Sequence, residues 1–303
     1  MVDFPKEQSI WAVSLEAVSP ILVVDYAENY NNHAVALGFP TFSGIPRGSN
    51  YSPYFGSERG DVLRGGSEDN AYYGWMGNDR LYGNGGNDYL AGEAGNDKLY
   101  GGAGDDILNG GSGNDTLNGG SGNDTAYFLG NTNIKVSLAT TKAQNTGQGK
   151  DVLISIENLV TGDGNDRLNG SAVANVLIAN KGDDTLDGGF GNDRLTGGAG
   201  KDAFVFSTAL DASANVDTIT DFSVKDDMIH LNQAVFSALG AGALSAAAFC
   251  VGATAQDGDD RIIYDAATGA ISYDPDGSGS AAQILFATVK AGLALSQSHF
   301  LVI

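Results

Sequence analysis

The chain has 303 residues, of which 37 are acidic and 16 basic, so its formal net charge is -21. This charge argues against nucleic acid or anionic lipid as the main partner, because phosphates would be repelled. Cys250 is the single cysteine, which excludes an intramolecular disulfide framework and a cysteine-based zinc site. The acidity either suits a cation ligand or serves solubility alone, and the spacing of the charges favours the first.

Residues 1–55 carry no repeat. The stretch from Met1 to Val24 lacks the basic start and clean apolar core of a cleaved signal peptide, and no part of the chain approaches the length of a transmembrane helix. We expect the segment to form an N-terminal cap on the rest of the chain, and a short effector segment is the alternative. It is rich in aromatic residues, among them Trp11, Tyr26, Tyr30, Tyr51 and Tyr54.

From Gly56 to Tyr127 the chain repeats every nine residues, and GEAGNDKLY (Gly92 to Tyr100) is a typical unit. The register breaks after eight units and resumes for five more, over residues 161–205. Two residue classes stay in phase throughout, with aspartate at position 6 and a large apolar residue at position 8. Chance or low complexity does not keep two classes in phase over this length, so a disordered linker is excluded.

Position 6 is aspartate in 11 of the 13 units, and Asn70 and Asn175 hold it in the other two. These aspartates are the predicted metal ligands: Asp61, Asp79, Asp88, Asp97, Asp106, Asp115, Asp124, Asp166, Asp184, Asp193 and Asp202. Glycine at position 4 is predicted to shape the same sites in the first block, at Gly77, Gly86, Gly95, Gly104, Gly113 and Gly122.

The pattern G-G-x-G-x-D-x-U-x, with U a large apolar residue, resembles the hemolysin-type or RTX calcium-binding repeat. The resemblance implies an all-β fold, a parallel β-roll, and export of the unfolded chain through a type I secretion apparatus. It also implies an uncleaved C-terminal signal, for which HFLVI (His299 to Ile303) resembles the family ending, although His299 stands where an acidic residue is common. The protein is therefore expected to be secreted and extracellular.

A nine-residue unit divides into a six-residue turn and a three-residue strand, so two units form one coil. Side chains alternate along a strand, and therefore only position 8 points inward. Turns on one edge of such a solenoid come from every second unit. One edge should carry Asp79, Asp97 and Asp115, and the other Asp88, Asp106 and Asp124.

Carboxylates on adjacent coils, about 4.8 Å apart, repel each other unless a cation lies between them. Calcium takes about six to eight oxygen ligands in flexible geometry, which paired carboxylates and turn carbonyls provide. Magnesium demands a tighter octahedron, and transition metals prefer histidine or cysteine, which these turns lack. Each coil buries only two leucines, so we expect about six to nine calcium ions to supply much of the folding free energy.

Three turns deviate from the glycine pattern: GSERGD at Gly56, GGSEDN at Gly65 and GSAVAN at Gly170. We expect calcium to bind weakly or not at all there. The insert between the blocks, residues 128–160, contains NIKVSLATT and KDVLISIENLV, whose alternation predicts longer strands in the same solenoid.

Residues 206–303 resemble the C-terminal domain of serralysin-type proteases through DTITDFSVKDDMIHL (Asp217 to Leu231) and residues 262–289. We predict a small, mainly β domain with a helix near Ala234 to Ala248 and turns at residues 267–269 and 276–277. Asp274 and Asp276 form either a further calcium loop or a plain turn. Asp217, Asp221 and Asp227 are either ligands or turn residues.

The sequence thus predicts five segments and no catalytic centre. It contains neither an HExxH protease motif nor a GxSxG elbow, so we expect no enzyme. The predicted segments are 1–55, an N-terminal cap or effector; 56–127, the first block; 128–160, the insert; 161–205, the second block; and 206–303, a capping and secretion-signal domain.

Three classes of function remain open. The first is a stand-alone secreted calcium-binding protein, and the third is a toxin or enzyme accessory remnant. The second is a module that binds surface polysaccharide or another matrix partner. Tyr82 and Tyr100 suggest it, because they lie at position 9 of alternate units, beside Arg80 and Lys98. Outward tyrosines also simply favour strands, so this pattern alone does not decide.

Overall fold

Each nonapeptide unit forms one short strand, because its last three residues alternate in polarity while its glycine-rich turn reverses the chain. The computed structural model of the protein describes residues 53–303. The predictions for residues 1–52, including the N-terminal cap, lie outside the described residues. The strands of the first block are β1 (Tyr54–Phe55), β2 (Val62–Arg64), β3 (Ala71–Tyr73), β4 (Arg80–Gly85), β5 (Tyr89–Ala91), β6 (Lys98–Ala103), β7 (Ile107–Asn109), β8 (Thr116–Ser121) and β9 (Thr125–Phe128).

The insert and the second block continue the same alternation of strand and turn. The insert contains β10 (Lys135–Ser137), β11 (Gln144–Asn145), β12 (Lys150–Ile154) and β13 (Asn158–Thr161). The second block contains β14 (Arg167–Ser171), β15 (Val176–Ile178), β16 (Thr185–Gly189), β17 (Arg194–Thr196) and β18 (Ala203–Phe206).

The C-terminal region, residues 206–303, is also built of strands. They are β19 (Asp217–Ile219), β20 (Met228–Leu231), β21 (Gly242–Ala243), β22 (Phe249–Val251), β23 (Ile262–Asp265), β24 (Ala270–Tyr273), β25 (Ile284–Thr288) and β26 (Phe300–Val302). Two single turns of 3-10 helix lie at Ala246–Ala248 and Gln297–His299. No helix within residues 53–303 is long and apolar enough to cross a membrane.

The strands form two walls. The long wall is one sheet in the order β1-β3-β5-β7-β9-β13-β15-β17-β19-β25-β24-β23-β22. The split wall consists of two sheets, β2-β4-β6-β8-β12-β11 and β10-β14-β16-β18-β20-β26-β21. Neighbouring strands of the repeats are parallel, so the predicted all-β parallel roll is confirmed.

The coils stack in strict register. On the split wall Leu81 lies beside Leu99 and Leu99 beside Leu117, and on the long wall Leu90 lies beside Leu108. All five side chains are 0% exposed, which confirms that position 8 points into the core. Along these five strands the core is therefore a ladder with one leucine from each strand.

The insert adds one strand to the long wall and three to the split wall. On the long wall β13 alone separates β9 from β15, whereas β12, β11 and β10 all lie between β8 and β14 on the split wall. A backbone hydrogen bond of 3.0 Å from Lys135 to the carbonyl of Thr146 links the two sheets there. The inserted strands have two to five residues, so the expectation of longer strands is wrong.

The C-terminal region extends both walls. β19 and β20 pair in parallel with β17 and β18, and β25 and β26 pair with β19 and β20 in turn. The predicted turn at residues 267–269 joins antiparallel β23 and β24. The helix predicted near residues 234–248 is wrong, because Gly240 and Gly242 interrupt the alanine-rich run and Gly242 adopts a φ of 106°.

Candidate metal sites

The position-6 aspartates form a column of hydrogen bonds along each edge of the roll. On the edge that leads into the split wall, Asp79 donates its backbone N–H to Oδ1 of Asp97 at 2.7 Å. Asp97 donates in the same way to Oδ1 of Asp115 at 2.8 Å. On the opposite edge, Asp88 donates to Oδ1 of Asp106 at 2.7 Å. The two predicted sets of aspartates therefore lie on two separate edges, with successive members in contact.

The second carboxylate oxygen of these residues is buried without a hydrogen-bond partner. This holds for ten position-6 aspartates in the part of the chain that the structure describes: Asp79, Asp88, Asp97, Asp106, Asp115, Asp124, Asp166, Asp184, Asp193 and Asp202. An unsatisfied buried carboxylate oxygen is costly, and a full column of them requires a compensating group.

The glycine at position 1 leaves room beside eight of the ten unpartnered oxygens. An atom at the Cβ position of Gly74 would lie 2.3 Å from Oδ2 of Asp79 and 2.8 Å from the carbonyl oxygen of Gly92 in the next coil. At Gly83 the matching distances are 2.0 Å to Asp88 and 2.6 Å to the carbonyl of Gly101. A carboxylate and a carbonyl from adjacent coils thus converge on space that any side chain would occupy.

The glycine at position 4 is required by the backbone. The six glycines predicted to shape the sites of the first block all have positive φ, for example 129° at Gly104 and 138° at Gly113. A Cβ atom at Gly104 would lie 2.1 Å from the carbonyl oxygen of Gly86 in the preceding coil. Glycine is therefore needed both for the turn conformation and for the close stacking of turns.

Burial raises the pKa of the position-6 carboxyls. The pKa of Asp97 is raised to about 6, against the lowering effect of the N–H of Asp79. Burial raises the pKa of Asp106 and Asp115 to about 7, and the charges of neighbouring aspartates add to the shift. Without a cation beside them, these carboxyls are therefore destabilised in their charged form.

The donor set fits calcium. The sites offer carboxylate and carbonyl oxygens in a turn backbone, without histidine or cysteine, which matches a hard cation with flexible coordination. Within residues 53–303 no three His, Cys, Asp or Glu residues cluster around one point. A cation beside a position-6 carboxylate would therefore have to take most of its oxygen ligands from the backbone.

A family model described as the RTX calcium-binding nonapeptide repeat matches four segments, residues 55–90, 91–126, 155–172 and 170–204. The chain carries RTX calcium-binding nonapeptide repeats. The match ends at residue 204, so the serralysin-like character of residues 206–303 stays a prediction.

Among solved structures, an extracellular lipase from Serratia marcescens is similar to this chain at 16% sequence identity and a TM-score of 0.23. The similarity covers 83% of this chain and 40% of the lipase chain, so this chain spans less than half the length of that structure. No curated protein matches the sequence.

The first RTX turn differs from the regular ones. Oδ2 of Asp61 accepts hydrogen bonds from the N–H and Oγ of Ser57, at 2.6 and 2.8 Å. In the third irregular turn, the amide oxygen of Asn175 accepts the N–H of Ser171 at 2.7 Å. These side chains are satisfied within their own turns, which supports the prediction of weak or absent calcium binding there.

Two RTX units of the second block have a side chain at position 1. Thr161 and Ala179 are both 0% exposed, and they precede Asp166 and Asp184 in their units. Each carries a Cβ atom in the space that glycine leaves open elsewhere. The second block therefore has less room at these two sites than the first block has.

The hydrogen-bonded columns extend beyond the position-6 aspartates, to Asp151 and Glu157, which the sequence analysis did not name, and to Asp217 and Asp227, which it left open. Asp115 donates its N–H to Oδ1 of Asp151 at 2.9 Å, and Asp124 donates to Oε2 of Glu157 at 2.9 Å. Asp193 and Asp202 donate to Asp217 and Asp227 at 3.1 and 3.0 Å. The signal was present in the sequence, because each of these acids stands two residues before an inward Leu or Ile, as in DVL, ENL, DTI and DMI.

Two of these added acids are less suited to bind a cation than the regular ones. Oδ2 of Asp151 accepts a short hydrogen bond from the Thr146 hydroxyl, and Oδ2 of Asp227 accepts the N–H of Ser223 at 2.8 Å. They continue the backbone hydrogen bonds of the columns, with their second oxygens already occupied.

Position 5 forms a second ladder that the sequence analysis missed. Oδ1 of Asn78 accepts the N–H of Asn96 at 2.7 Å, and Oδ1 of Asn96 accepts the N–H of Asn114 at 2.8 Å. The asparagine side chains of this ladder reach toward the following coil, whereas the position-6 aspartate side chains reach toward the preceding one. The frequent Asn-Asp pair at positions 5 and 6 was the available signal.

The loop at residues 274–281 has a different arrangement. Asp274 is buried, and its Oδ1 accepts the N–H of Asp276 at 3.2 Å. Oδ2 of Asp276 accepts N–H groups of Ser280 and Ala281, at 2.9 and 3.1 Å. The carboxylates close a turn here, so the geometry favours the plain-turn alternative, and calcium binding by this loop stays a prediction.

Proposed function

We propose that this chain is a secreted calcium-binding protein whose RTX repeats fold on Ca²⁺ after export through a type I secretion apparatus. The observation that carries the proposal is the set of ten buried, unpartnered Oδ2 atoms at position 6. Calcium supplies positive charge between successive turns, and the position-6 carboxylates and turn carbonyls hold it there.

The same residues couple folding to the calcium concentration. Successive buried carboxylates repel each other, and one inward apolar side chain from most strands offers little compensation. At about 1 mM calcium, extracellular modules with dissociation constants of about 0.1 mM are mostly occupied, whereas at cytosolic concentrations they are empty. The RTX repeats therefore stay unfolded before export and fold outside the cell.

The test is circular dichroism of the purified chain during calcium titration, with magnesium as the control. We expect a cooperative gain of strand signal with calcium and little gain with magnesium at the same concentration. A chain that keeps its full strand signal after exhaustive chelation would contradict the proposal.

A matched pair of variants tests the role of the unpartnered oxygen. Asp97→Asn keeps the Oδ1 acceptor for Asp79 and removes the anionic oxygen, so we expect the calcium midpoint to rise severalfold and the ion stoichiometry to fall. Asp61→Asn is the control, because Oδ2 of Asp61 is already satisfied by Ser57. Equal midpoints for the two variants would show that position 6 does not hold the ions.

A further inference from the structure

One outward face of the split wall differs from the rest of the molecule. It consists of the outward residues at positions 7 and 9 of β2, β4 and β6, apart from Val62. We call it the Arg–Tyr face, and its members are Arg64, Arg80, Tyr82, Lys98 and Tyr100. Arg80 lies beside Lys98 and Tyr82 beside Tyr100 in the paired strands, so cations and rings form two parallel rows along the roll.

The cations of this face have no acidic partner. Arg64, Arg80 and Lys98 are exposed. Within residues 53–303 the ion pairs are Lys181–Asp163 and Lys225–Asp226, so none of the three cations is in an ion pair. Three unpaired cations on adjacent coils are a marked concentration of positive charge in a chain with a net charge of -21.

The opposite wall lacks this feature. Arg194 is the one cation at an outward position 7 or 9 on the repeat strands β3 to β17 of the long wall. On the split wall, β10 and β14 also place two exposed cations side by side, Lys135 and Arg167, but without tyrosines beside them. The combination of adjacent cations with stacked tyrosines is therefore confined to β2, β4 and β6.

The two rings are held in a fixed stack. The centroids of Tyr82 and Tyr100 are 4.9 Å apart with an interplanar angle of 7°. The guanidinium carbon of Arg64 lies 4.0 Å from the centroid of the Tyr82 ring. Both faces of Tyr82 are therefore covered, by Arg64 and by Tyr100. Nucleobases cannot stack on this ring, which offers a ligand its edge and its hydroxyl group.

We propose that the Arg–Tyr face binds an acidic polysaccharide that lies along the axis of the roll. Successive coils are about 4.8 Å apart, which is comparable with the length of one sugar ring in an extended chain. Carboxylates on successive sugars would meet Arg80 and Lys98, and an arginine fork suits a carboxylate. The tyrosine hydroxyls would hydrogen-bond to sugar hydroxyls. The ligand class is set by the row of cations, the hydroxyl donors and the covered faces of Tyr82.

The experiment is isothermal titration calorimetry of the full chain in saturating calcium with a short oligogalacturonate. A neutral malto-oligosaccharide of equal length and a single-stranded oligodeoxynucleotide are the comparison ligands. We expect the oligogalacturonate to bind with an affinity that falls as salt is added, the neutral sugar not to bind, and the oligonucleotide to bind more weakly than the acidic sugar.

Matched variants locate the binding site. Arg80→Gln with Lys98→Gln keeps the Arg64–Tyr82–Tyr100 stack and should weaken binding at least about tenfold. Arg194→Gln, an exposed position-7 arginine on the long wall, should leave affinity unchanged. Tyr82→Phe with Tyr100→Phe keeps the stack, removes the hydroxyls, and should weaken binding by about threefold.

Circular dichroism in calcium first verifies that each variant is folded, so a failure of the folding proposal and a failure of this one are distinguishable. The proposal is overturned if the wild-type chain does not bind oligogalacturonate, or if the Arg80/Lys98 variant binds as tightly as the wild type. It is also overturned if the oligonucleotide binds as tightly as the acidic sugar, since the face would then attract any polyanion.

Discussion

The roll, residues 56–205, and the C-terminal region, residues 206–303, extend the same two walls with different cores. The roll buries one leucine or similar residue from each strand, and its edges hold ten unpartnered carboxylate oxygens. None of those oxygens belongs to residues 206–303, all of which the structure describes. The core there is aromatic. The ring of Phe286 packs edge-on against those of Phe206 and Phe236, with ring centroids 4.9 and 5.1 Å apart.

The two regions are expected to obtain their stability from different sources. Large aromatic side chains bury more apolar surface for each ordered residue than a leucine ladder does. The C-terminal region is therefore expected to be stable on packing alone, whereas the roll depends on ions. We therefore expect the calcium-dependent repeats to end on a region whose fold does not need the metal.

Removal of calcium is expected to have the largest effect and to separate the two regions. At a calcium concentration about tenfold above the dissociation constant, each site contributes about 1.4 kcal/mol, so several sites together account for most of the stability of the roll. Hydrogen exchange after chelation should show the amides of β4 to β8 at unprotected rates, while β23 to β25 keep protection. Loss of protection in both regions at the same chelator concentration would show that they form one cooperative unit.

Core substitutions compare the packing contribution to stability in the two regions. Leu99→Ala should destabilise the calcium-bound roll by about 3 kcal/mol, because no second side chain of its strand fills the cavity. Phe286→Ala should cost about 4 kcal/mol in the C-terminal region, both with and without calcium. Val62→Ala, at an exposed position, is the control. Denaturant unfolding monitored by hydrogen exchange assigns each loss to its region.

Glycine substitutions test whether the close stacking of turns excludes side chains at position 4. Gly104→Ala should cost more than about 2 kcal/mol, because φ is 129° and a carbonyl of the preceding coil lies at 2.1 Å from the added carbon. Gly66→Ala is the matched control, since nothing lies within 4 Å of its added carbon. Equal calcium midpoints for the two variants would show that the turns tolerate a side chain.

The smallest expected effect is that of pH in calcium-free solution. Folding raises the pKa of Asp106, Asp115 and Asp124 to about 7 from an unfolded value of about 3.9. Between these values the folded roll holds more protons than the unfolded chain, so its free energy of unfolding falls as pH rises. Strand signal in chelator should therefore be larger at pH 5 than at pH 8.

A salt control separates this effect from general repulsion in a chain of net charge -21. High salt at pH 8 screens long-range repulsion without protonating the buried carboxyls. If salt alone restores the strand signal, the cause is net charge and not the position-6 column.

The repeat made much of the roll predictable. Two residue classes in phase determined the strand positions, the inward leucines and the two edges of aspartates, because each rule is local and recurs every nine residues. The helix near residues 234–248 was wrong because alanine content outweighed Gly240 and Gly242 in that interpretation. The strand order within the insert was not predictable, since it depends on which earlier strand each segment pairs with. Oδ2 of Asp61 is hydrogen-bonded to Ser57, whereas Oδ2 of Asp97 has no partner. The identity of position 6 alone does not encode this difference.

The uneven insert has a consequence for assembly. A stack of near-identical coils has no unique alignment, because a stack shifted by one full coil meets the same hydrogen bonds and the same leucines. Such slippage leads to misfolded or domain-swapped chains. The odd strands on the split wall have no equivalent elsewhere in the roll, so a shifted stack cannot accommodate them. The insert thus fixes the alignment of the stack, because only one pairing of coils places its strands correctly.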